Sequence, residues 1–211
     1  MRVLSGKKII TMNLEELQYL TKSFSIVHVD MGAGSGKFIY KSAMSNLETF
    51  YIGIDPVANQ MFETSTKAQK RKMMNILYVN GSVEAVPVML EGIADSITVI
   101  LPWGSLRDGI VKANTDVLTG LRFLGKPGTK LTIWIGYDDK HDATEIKLRE
   151  LPHLSKTHFL GLLNLYKKSG INIENVSLLD NAELKLLESD WAKRLAYGNH
   201  RNTFKLSGNL W

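Results

Sequence analysis

The strongest constraint on this chain is residues 26–36, an apolar alternating run that ends in Asp30 and then in three glycines spaced by single residues. These glycines are Gly32, Gly34 and Gly36. A second apolar run, Phe50–Asp55, also ends in an acid. In a parallel α/β sheet a glycine turn follows the first strand, and an acid at the end of the second strand holds ribose hydroxyls. The two runs together predict a site for a nucleoside cofactor.

The spacing of the glycines decides between cofactors. A dinucleotide loop, G-x-G-x-x-G, seats a pyrophosphate on the helix N-terminus, but here the third glycine comes one residue early and Lys37 takes its place. Asp30 beside a diphosphate would be unfavourable, whereas it suits a ligand that carries an ammonium and a sulfonium group. The pattern D-x-G-x-G-x-G resembles the first motif of class I methyltransferases, which implies S-adenosyl-L-methionine as cofactor. A glycine turn alone can be only a tight connection, but Asp55 at this spacing favours the cofactor site.

Composition bounds the domain organisation. The 211 residues, 44% of them hydrophobic, suffice for one well-buried α/β domain but not for two. We expect one domain over 1–211, with a hairpin and helix extension at 1–25 and an inserted loop and helix at 138–170. There is no cysteine, and the five histidines lack metal-ligand spacing, so no metal site is predicted. No segment is typical of a signal peptide or a membrane span, and we expect a cytoplasmic monomer.

Apolar periodicity predicts alternating strands and helices. Near the N-terminus, Lys7–Met12 is predicted as a strand or hairpin arm, and Asn13 caps a helix that runs to about Lys22. Further helices are predicted at Lys37–Leu47, Asn59–Met73, Lys112–Leu124 and Ser155–Lys168, and further strands at Ile76–Asn80, Ser96–Leu101, Lys130–Tyr137 and Arg201–Ser207. The polar segment Asp138–Leu151 is the best candidate for an inserted or mobile loop. The alternation predicts a doubly wound α/β sheet.

Positive charge is concentrated in two places, although the net charge is only +5. The cationic residues are Lys67, Lys70, Arg71 and Lys72 on the predicted helix after Asp55, and Lys193, Arg194, Arg201 and Lys205 in a C-terminal stretch without acids. A single lysine run is more often a solvated helix face. Two such patches in a chain of this kind favour a nucleic-acid partner.

Reactive groups are expected at the carboxyl ends of the strands, where open α/β sheets bind ligands. Ser82 and Glu84, after the third strand, are placed to border an adenine, and Ser105 is assigned to the same cofactor site. After the fourth strand, Pro102 turns the chain and directs Trp103 over the pocket, although a lone tryptophan is more often part of the core. Methyltransferases of exocyclic amines usually carry Asn or Asp at the position of Leu101. Its absence disfavours N6 chemistry and leaves a ring nitrogen open as the target.

Several segments resemble the aminoglycoside-resistance 16S rRNA methyltransferases that modify N1 of adenine 1408, almost from end to end. The segments are 28–36, 50–56, 94–97 with Pro102-Trp103-Gly104, 151–156, and Trp191-Ala192-Lys193-Arg194-Leu195-Ala196-Tyr197-Gly198. The resemblance implies a class I fold with a mostly parallel seven-stranded sheet, and a flipped adenine held between Trp103 and Trp191, with Ser189 shaping the pocket. It also implies an assembled 30S subunit as substrate, contacted by Lys67, Lys70, Arg71, Arg149, Arg194 and Arg201.

The chain departs from the family pattern where Thr66 precedes Lys67 and where Asn199 and His200 precede Arg201. These departures put the strength of the rRNA contacts in doubt, not the reaction. Two alternatives stay open: a methyltransferase acting on a ring nitrogen of another RNA such as tRNA, and a non-catalytic domain that binds RNA or a cofactor. No general base is assigned, because a ring nitrogen attacks through its lone pair.

Overall fold

The structure is a computed structural model that describes residues 1–187, 189–197 and 201–211, without the side chains of Asp190, Trp191, Arg194 and Ala196. The strands in these ranges are β1 (Arg2–Ser5), β2 (Lys8–Thr11), β3 (Ile26–Met31), β4 (Thr49–Asp55), β5 (Ile76–Asn80), β6 (Ala94–Ile100), β7 (Gly125–Gly136), β8 (Ile171–Leu178) and β9 (Thr203–Leu210). The α-helices are α1 (Leu14–Thr21), α2 (Lys37–Ser45), α3 (Phe62–Lys70), α4 (Gly104–Lys112), α5 (Thr115–Leu124), α6 (Ala143–Arg149), α7 (Lys156–Lys168), α8 (Asn181–Leu186) and α9 (Asp190–Tyr197).

All nine of these strands form one sheet in the order β2-β1-β5-β4-β3-β6-β7-β9-β8. Strands β3 to β7 pair in parallel. Strand β9 is antiparallel to both β7 and β8, so it is the one reversed member of the seven strands β3 to β9. The β1–β2 hairpin adds to the free edge of β5. The predicted mostly parallel seven-stranded sheet with an N-terminal β extension is therefore confirmed.

Helices cover both faces of the sheet, because side chains alternate between the faces along each strand. In β4, Phe50, Ile52 and Ile54 pack in the main core with α1, α4, α5 and α7, while Tyr51 packs on the other side with α2 and α3. A third apolar cluster joins the end of β6 to α8 and α9. Within the described ranges, no helix combines the length and apolar character that crossing a membrane requires.

Most predicted elements agree with the structure to within a few residues. The predicted cap at Asn13 is a full capping box, in which Asn13 accepts from the N–H of Glu16 and the Glu16 carboxylate accepts from the N–H of Asn13. The predicted strand Ile76–Asn80 matches β5, and Ser155 caps α7 through the N–H of His158. These elements carry strong local signals, and the tertiary context agrees with them.

Three predicted elements were wrong in detail. The helix predicted over Lys112–Leu124 begins only at Thr115, because Lys112 ends α4, Ala113 has a φ of +51° and the Asn114 side chain caps α5. The helix predicted over Asn59–Met73 begins with a 3₁₀ turn and ends at Lys70. The segment Asp138–Leu151 contains helix α6. Strand β8 and helices α4, α8 and α9 were not predicted.

Candidate active site

The glycine loop connects β3 to α2 and approaches its neighbours closely. Gly32, Gly34 and Gly36 have φ values of +77°, +53° and +68°, in the left-handed region that favours glycine. A Cβ on Gly36 would lie 2.7 Å from the Tyr78 ring and 2.8 Å from the Thr64 hydroxyl. The loop can therefore accept only glycine there without displacing the side chains beneath it.

The amide groups of this loop are engaged within the protein. The N–H groups of residues 32 and 33 donate to the carbonyl of Ile54 at 2.8 and 3.0 Å, and that of Gly36 donates to Ala33 at 2.8 Å. In a dinucleotide-binding loop such groups would face a pyrophosphate. Their engagement agrees with the inference from the spacing that this loop does not bind a diphosphate.

Asp55 ends β4 and holds the loop in place. One carboxylate oxygen accepts from the N–H of Gly34 at 2.8 Å, and the other accepts from the N–H of Val57 at 2.8 Å. Burial raises the pKa of Asp55, while these two N–H groups act in the opposite direction. Each carboxylate oxygen has a second lone pair, so Asp55 can also accept from the hydroxyls of a ligand in the cavity.

Asp30 lies at the end of β3 and is only 2% exposed. The hydroxyl of Thr98 on the neighbouring strand donates to it at 2.7 Å, and His28 Nε2 lies 3.0 Å from the same hydroxyl oxygen. Because the single hydroxyl proton of Thr98 goes to Asp30, the imidazole must donate from Nε2. Its Nδ1 then accepts from Ser96, 2.8 Å away. A hydrogen-bonded relay of Ser96, His28 and Thr98 thus orients the Asp30 carboxyl.

Burial dominates the ionisation of this relay. It raises the pKa of Asp30 to about 7, an effect that the Thr98 hydrogen bond opposes and the nearby charge of Asp55 reinforces. Burial also lowers the pKa of His28 to about 4, so the imidazole is neutral at physiological pH. Neither His28 nor Thr98 was predicted as part of the site. The signal for His28 was its position two residues before Asp30, on the same face of β3.

A cavity of about 610 Å³ lies at the carboxyl ends of these strands, within the range of small-molecule sites. It is bordered by most of the predicted cofactor and target residues, namely Asp30, Gly32, Gly34, Asp55, Ser82, Glu84, Pro102, Trp103, Ser105 and Ser189. The remaining predicted cofactor glycine, Gly36, does not border the cavity and faces Tyr78 and Thr64 instead. Lys37 borders the cavity as well and had no predicted role. The predicted set therefore converges on one concave site.

Glu84 and Ser105 meet across one side of this cavity. Burial disfavours the ionised form of Glu84, but the hydroxyls of Ser105 and Ser82 and its own backbone N–H donate to the carboxylate and hold its pKa below the ordinary value. These contacts tie the turn after β5 to the first turn of α4. They place fixed polar groups where an adenine edge was predicted.

The corner after β6 forms another part of the cavity wall. Leu101 has a φ of +49°, its N–H donates to the carbonyl of Trp134 at 2.8 Å, and its side chain is buried in the cluster under α8 and α9. Pro102 and Trp103 follow, and Trp103 is 43% exposed. The left-handed residue turns the aliphatic side chain into the protein and the indole towards the cavity. Trp103 is thus a surface tryptophan rather than a core residue.

The second predicted wall of the target-base pocket is described only in part. Ser189 borders the cavity, and its carbonyl accepts from the N–H of Lys193 in the first turn of α9. Trp191 and Arg194 belong to α9, but their side chains lie outside the described residues. Ala192 and Leu195 anchor this helix in the same cluster as Leu101. The backbone of α9 thereby begins at the cavity edge.

The predicted RNA-binding side chains have different surroundings. Lys67, Lys70 and Arg71 are exposed at the end of α3 and beyond it, with Lys67 paired to Glu63 and Arg71 over the Tyr40 ring. Arg149 is paired with Asp108 and Glu145 at 3.0 Å each, and both partners raise its pKa. Arg201 forms a two-point ion pair with the buried Asp142 at 2.7 and 2.9 Å. Neither arginine is the unpaired cation that a basic run suggests.

Fold and site together define a class of protein: a Rossmann-like domain of the methyltransferase type, with a nucleoside-cofactor pocket at the carboxyl ends of its parallel strands. Among the described residues no cluster of three or more His, Asp or Glu could hold a metal ion. The chain belongs to the 16S rRNA (adenine(1408)-N(1))-methyltransferase family, whose NpmA family model matches residues 2–210.

The chain is similar over its full length to known proteins of this family. The chain is 39% identical to a 16S rRNA (adenine(1408)-N(1))-methyltransferase of Escherichia coli, with 100% of this chain and 99% of the relative covered. It is 26% identical to the enzyme of the same description from Streptoalloteichus hindustanus, at the same coverage. The crystal structure of a mutant of such an enzyme from Catenulisporales acidiphilia with its cosubstrate SAM superposes with a TM-score of 0.90 at 31% identity, covering 100% of this chain and 96% of that one.

Proposed function

We propose that this chain transfers a methyl group from S-adenosyl-L-methionine to N1 of adenine 1408 in 16S rRNA and thereby confers resistance to aminoglycosides. The observation that carries the proposal is a single cavity that joins the buried acids Asp30 and Asp55 to the exposed indole of Trp103. Membership of the family supports rRNA as the substrate rather than tRNA, and an enzyme rather than a non-catalytic domain. Because that substrate is ribosomal, we place the enzyme in the cytoplasm.

The residues at the sheet edge fit the cofactor. Its sulfonium supplies an electrophilic methyl group, so the chain needs to hold the two reactants in line. Asp55 would accept from the ribose hydroxyls, Asp30 would face the ammonium group, and Glu84 with Ser105 would border the adenine. Charge-assisted hydrogen bonds of this kind contribute about 1.5–3 kcal/mol each. With Ser82, the polar groups are distributed along the cavity as a nucleoside attached to an amino acid requires.

Trp103 would receive the target base. Extracting an adenine from its stack costs a few kcal/mol, and stacking on an aromatic side chain returns about 1–3 kcal/mol. In the proposed complex Trp191 forms the second wall and Ser189 shapes the edge. As positive charge develops on the methylated base, an indole face stabilises it by about 0.5–2 kcal/mol. Positioning and stacking therefore account for catalysis without a general base.

The corner after β6 supports a ring nitrogen as the nucleophile. An exocyclic amine must lose a proton, and a side-chain oxygen at the position of Leu101 would accept it. Leu101 borders the cavity but has no such oxygen, and its side chain belongs to the apolar cluster under α8 and α9. The N1 lone pair requires no acceptor, which agrees with an aliphatic residue here.

The test is methylation of purified 30S subunits, with naked 16S rRNA and tRNA in parallel. Primer extension should stop at adenine 1408 because an N1-methylated adenine cannot pair. We propose the assembled subunit as the substrate, so naked rRNA should be modified far more slowly. A stop at another nucleotide, or methylation of tRNA alone, would contradict the proposal.

Cofactor binding should depend on pH through Asp30. A carboxyl with a pKa of about 7 is half protonated at neutral pH, yet the ammonium group of the cofactor attracts only the ionised form. Affinity should therefore fall as the pH drops from 7.5 to 5.5, approaching about tenfold per pH unit well below 7, and level off above 7. Calorimetry across this pH range measures the affinity. His28, with a pKa of about 4, stays neutral throughout.

Asp30→Asn is the matched control for this pH dependence. It should bind S-adenosyl-L-methionine weakly and with a flat profile, whereas residual dependence in the variant would assign the titration to Asp55, whose pKa burial also raises. A wild-type affinity that stays constant from pH 5.5 to 7.5 would show that Asp30 does not meet the ammonium group.

The cluster of Lys67, Lys70 and Arg71 should bind rRNA phosphates. Replacing all three by alanine should weaken 30S binding and reduce the slope of log affinity against log salt by about 2–3, since each lost phosphate contact removes about one unit. Cofactor affinity should not change. A matched variant replaces Lys156, Lys167 and Lys168, three exposed lysines of α7, and should keep the wild-type slope. Equal slopes in both triple variants would identify the cluster as a solvated helix face.

A further inference from the structure

Among the residues that the structure describes, Arg107 is the largest buried side chain, at 2% exposure. It lies in the second turn of α4, four residues after Trp103. A buried guanidinium is costly unless it is paired. Arg107 meets that requirement through Asp108, whose Oδ1 lies 3.1 Å from both Nε and Nη2, and through Glu145, whose Oε2 lies 3.3 Å from Nη2.

The guanidinium also lies over two aromatic rings. Its central carbon lies 5.2 Å from the centre of the Trp103 indole and 5.8 Å from that of the Tyr137 ring. Tyr137 is itself fixed, because its hydroxyl donates to the carbonyl of Pro152 at 2.6 Å. Trp103 is thus supported on one face by a planar cation that the interior holds still, while 43% of the residue remains exposed.

We propose that Arg107 is a positioning residue that holds the Trp103 indole in the orientation needed to stack on the target base. This inference rests on the proposed function. A tryptophan that was half exposed and unsupported would lose rotamer entropy each time a base docked. A planar guanidinium against one face restricts the indole beforehand and leaves the opposite face for the base.

The carboxylates that neutralise Arg107 are shared with Arg149. Glu145 Oε2 accepts from Arg149 Nε at 3.0 Å as well, and Asp108 Oδ2 accepts from Arg149 Nη1 at 3.0 Å. Arg149 is 39% exposed and Arg107 is buried, so the four groups form an ion-pair network that extends from the surface to the indole. The support of Trp103 therefore depends on α6, which ties the segment predicted as a mobile loop to the stacking surface.

Loss of the Arg107 charge alone leaves its carboxylate partners with a second cation. Removing one member of a buried ion pair is destabilising where the other charge is left uncompensated, and methionine is close to arginine in length and flexible enough to fill the space. In Arg107→Met the two carboxylates keep Arg149 as partner. The variant should therefore fold, while losing the planar support beneath Trp103.

The experiment combines spectroscopy on the free protein with kinetics. Protein labelled with 5-fluorotryptophan should show fluorine resonances from its tryptophans, and Trp103→Phe assigns that of Trp103. In Arg107→Met the Trp103 resonance should shift or broaden, while those of Trp134 and Trp211 stay in place. The single-turnover rate of 30S methylation should fall about tenfold, and the dissociation constant of S-adenosyl-L-methionine should stay within twofold.

Two further variants complete the test. Lys126→Met removes the cation of a partly exposed ion pair with Asp95. It should change neither the Trp103 resonance nor the methylation rate. Glu145→Gln keeps Arg107 but removes the charge of one of its partners, and should move the Trp103 resonance in the same direction. This variant replaces Arg107→Met in the test if Arg107→Met does not fold. An unmoved Trp103 resonance, or a wild-type rate with a moved resonance, overturns the inference. Failure of the wild-type protein to methylate adenine 1408 would instead refute the proposed function, whatever the resonance does.

Discussion

Replacing Asp55 by alanine is expected to weaken binding of S-adenosyl-L-methionine by at least about a hundredfold. Two charge-assisted hydrogen bonds to the ribose would be lost, at about 1.5–3 kcal/mol each, and a factor of ten in affinity corresponds to about 1.4 kcal/mol. The variant also releases the N–H of Gly34, which Asp55 accepts at 2.8 Å. Loss of this contact loosens the glycine loop and adds to the effect. Calorimetry with purified protein measures the affinity of the variant for S-adenosyl-L-methionine.

Asp95 provides a matched control for Asp55. It too accepts a backbone N–H, from Val27 at 2.8 Å, but it lies at the start of β6, the edge of the parallel strands away from the cavity. Asp95→Ala should bind the cofactor as the wild type does, whatever it costs in stability. If Asp55→Ala bound with wild-type affinity, or if the two variants lost affinity equally, the proposed cofactor site would be misplaced.

Replacing Trp103 by alanine should reduce methylation of 30S subunits by about a hundredfold and abolish aminoglycoside resistance in cells that express the protein. The estimate follows from the loss of about 1–3 kcal/mol of base stacking, together with about 0.5–2 kcal/mol of stabilisation of the charge that develops on the base. Trp103→Phe should retain part of the activity, since a smaller ring still stacks. Because the residue is 43% exposed, the melting temperature should change little.

Trp211 is the corresponding control for Trp103. It is 58% exposed and held at the end of the chain, where its N–H donates to Gly170 and its carbonyl accepts from Arg122. Trp211→Ala should methylate and protect ribosomes normally. A Trp103→Ala protein that melts several degrees lower, or that still confers resistance, would identify Trp103 as a packing residue.

The catalytic framework was accessible to sequence analysis because its signals are local. An alternating apolar run followed by a glycine turn specifies β3 and the loop whatever surrounds them, and Phe50–Asp55 does the same for β4. Since parallel strands place their carboxyl ends at one edge of the sheet, Asp30, Asp55 and Trp103 had to converge once the strands were identified. The resemblance to a known family added the target base, which periodicity and spacing leave open.

Local signals failed at the boundary between α4 and α5. Helix α4 was not predicted, and the helix predicted from Lys112 begins only at Thr115, where the Asn114 side chain caps α5. The polarity of 138–151 suggested a loop, but Asp142 at its centre pairs with Arg201 from the far end of the chain. Contacts between residues so distant in sequence make helix α6 stable, and no window of sequence contains them.

By itself, then, the sequence determined the strands, the glycine turn and the acids at the strand ends, because backbone conformation and alternating burial follow from neighbouring residues. Only the tertiary structure decided how those acids are held and which cations are paired with carboxylates. Thr98 meets Asp30 across the β3–β6 pairing, and the two carboxylates of Asp108 and Glu145 neutralise both Arg107 and Arg149. Burial and charge pairing depend on elements brought together from distant parts of the chain, so residue type and spacing alone do not reveal them.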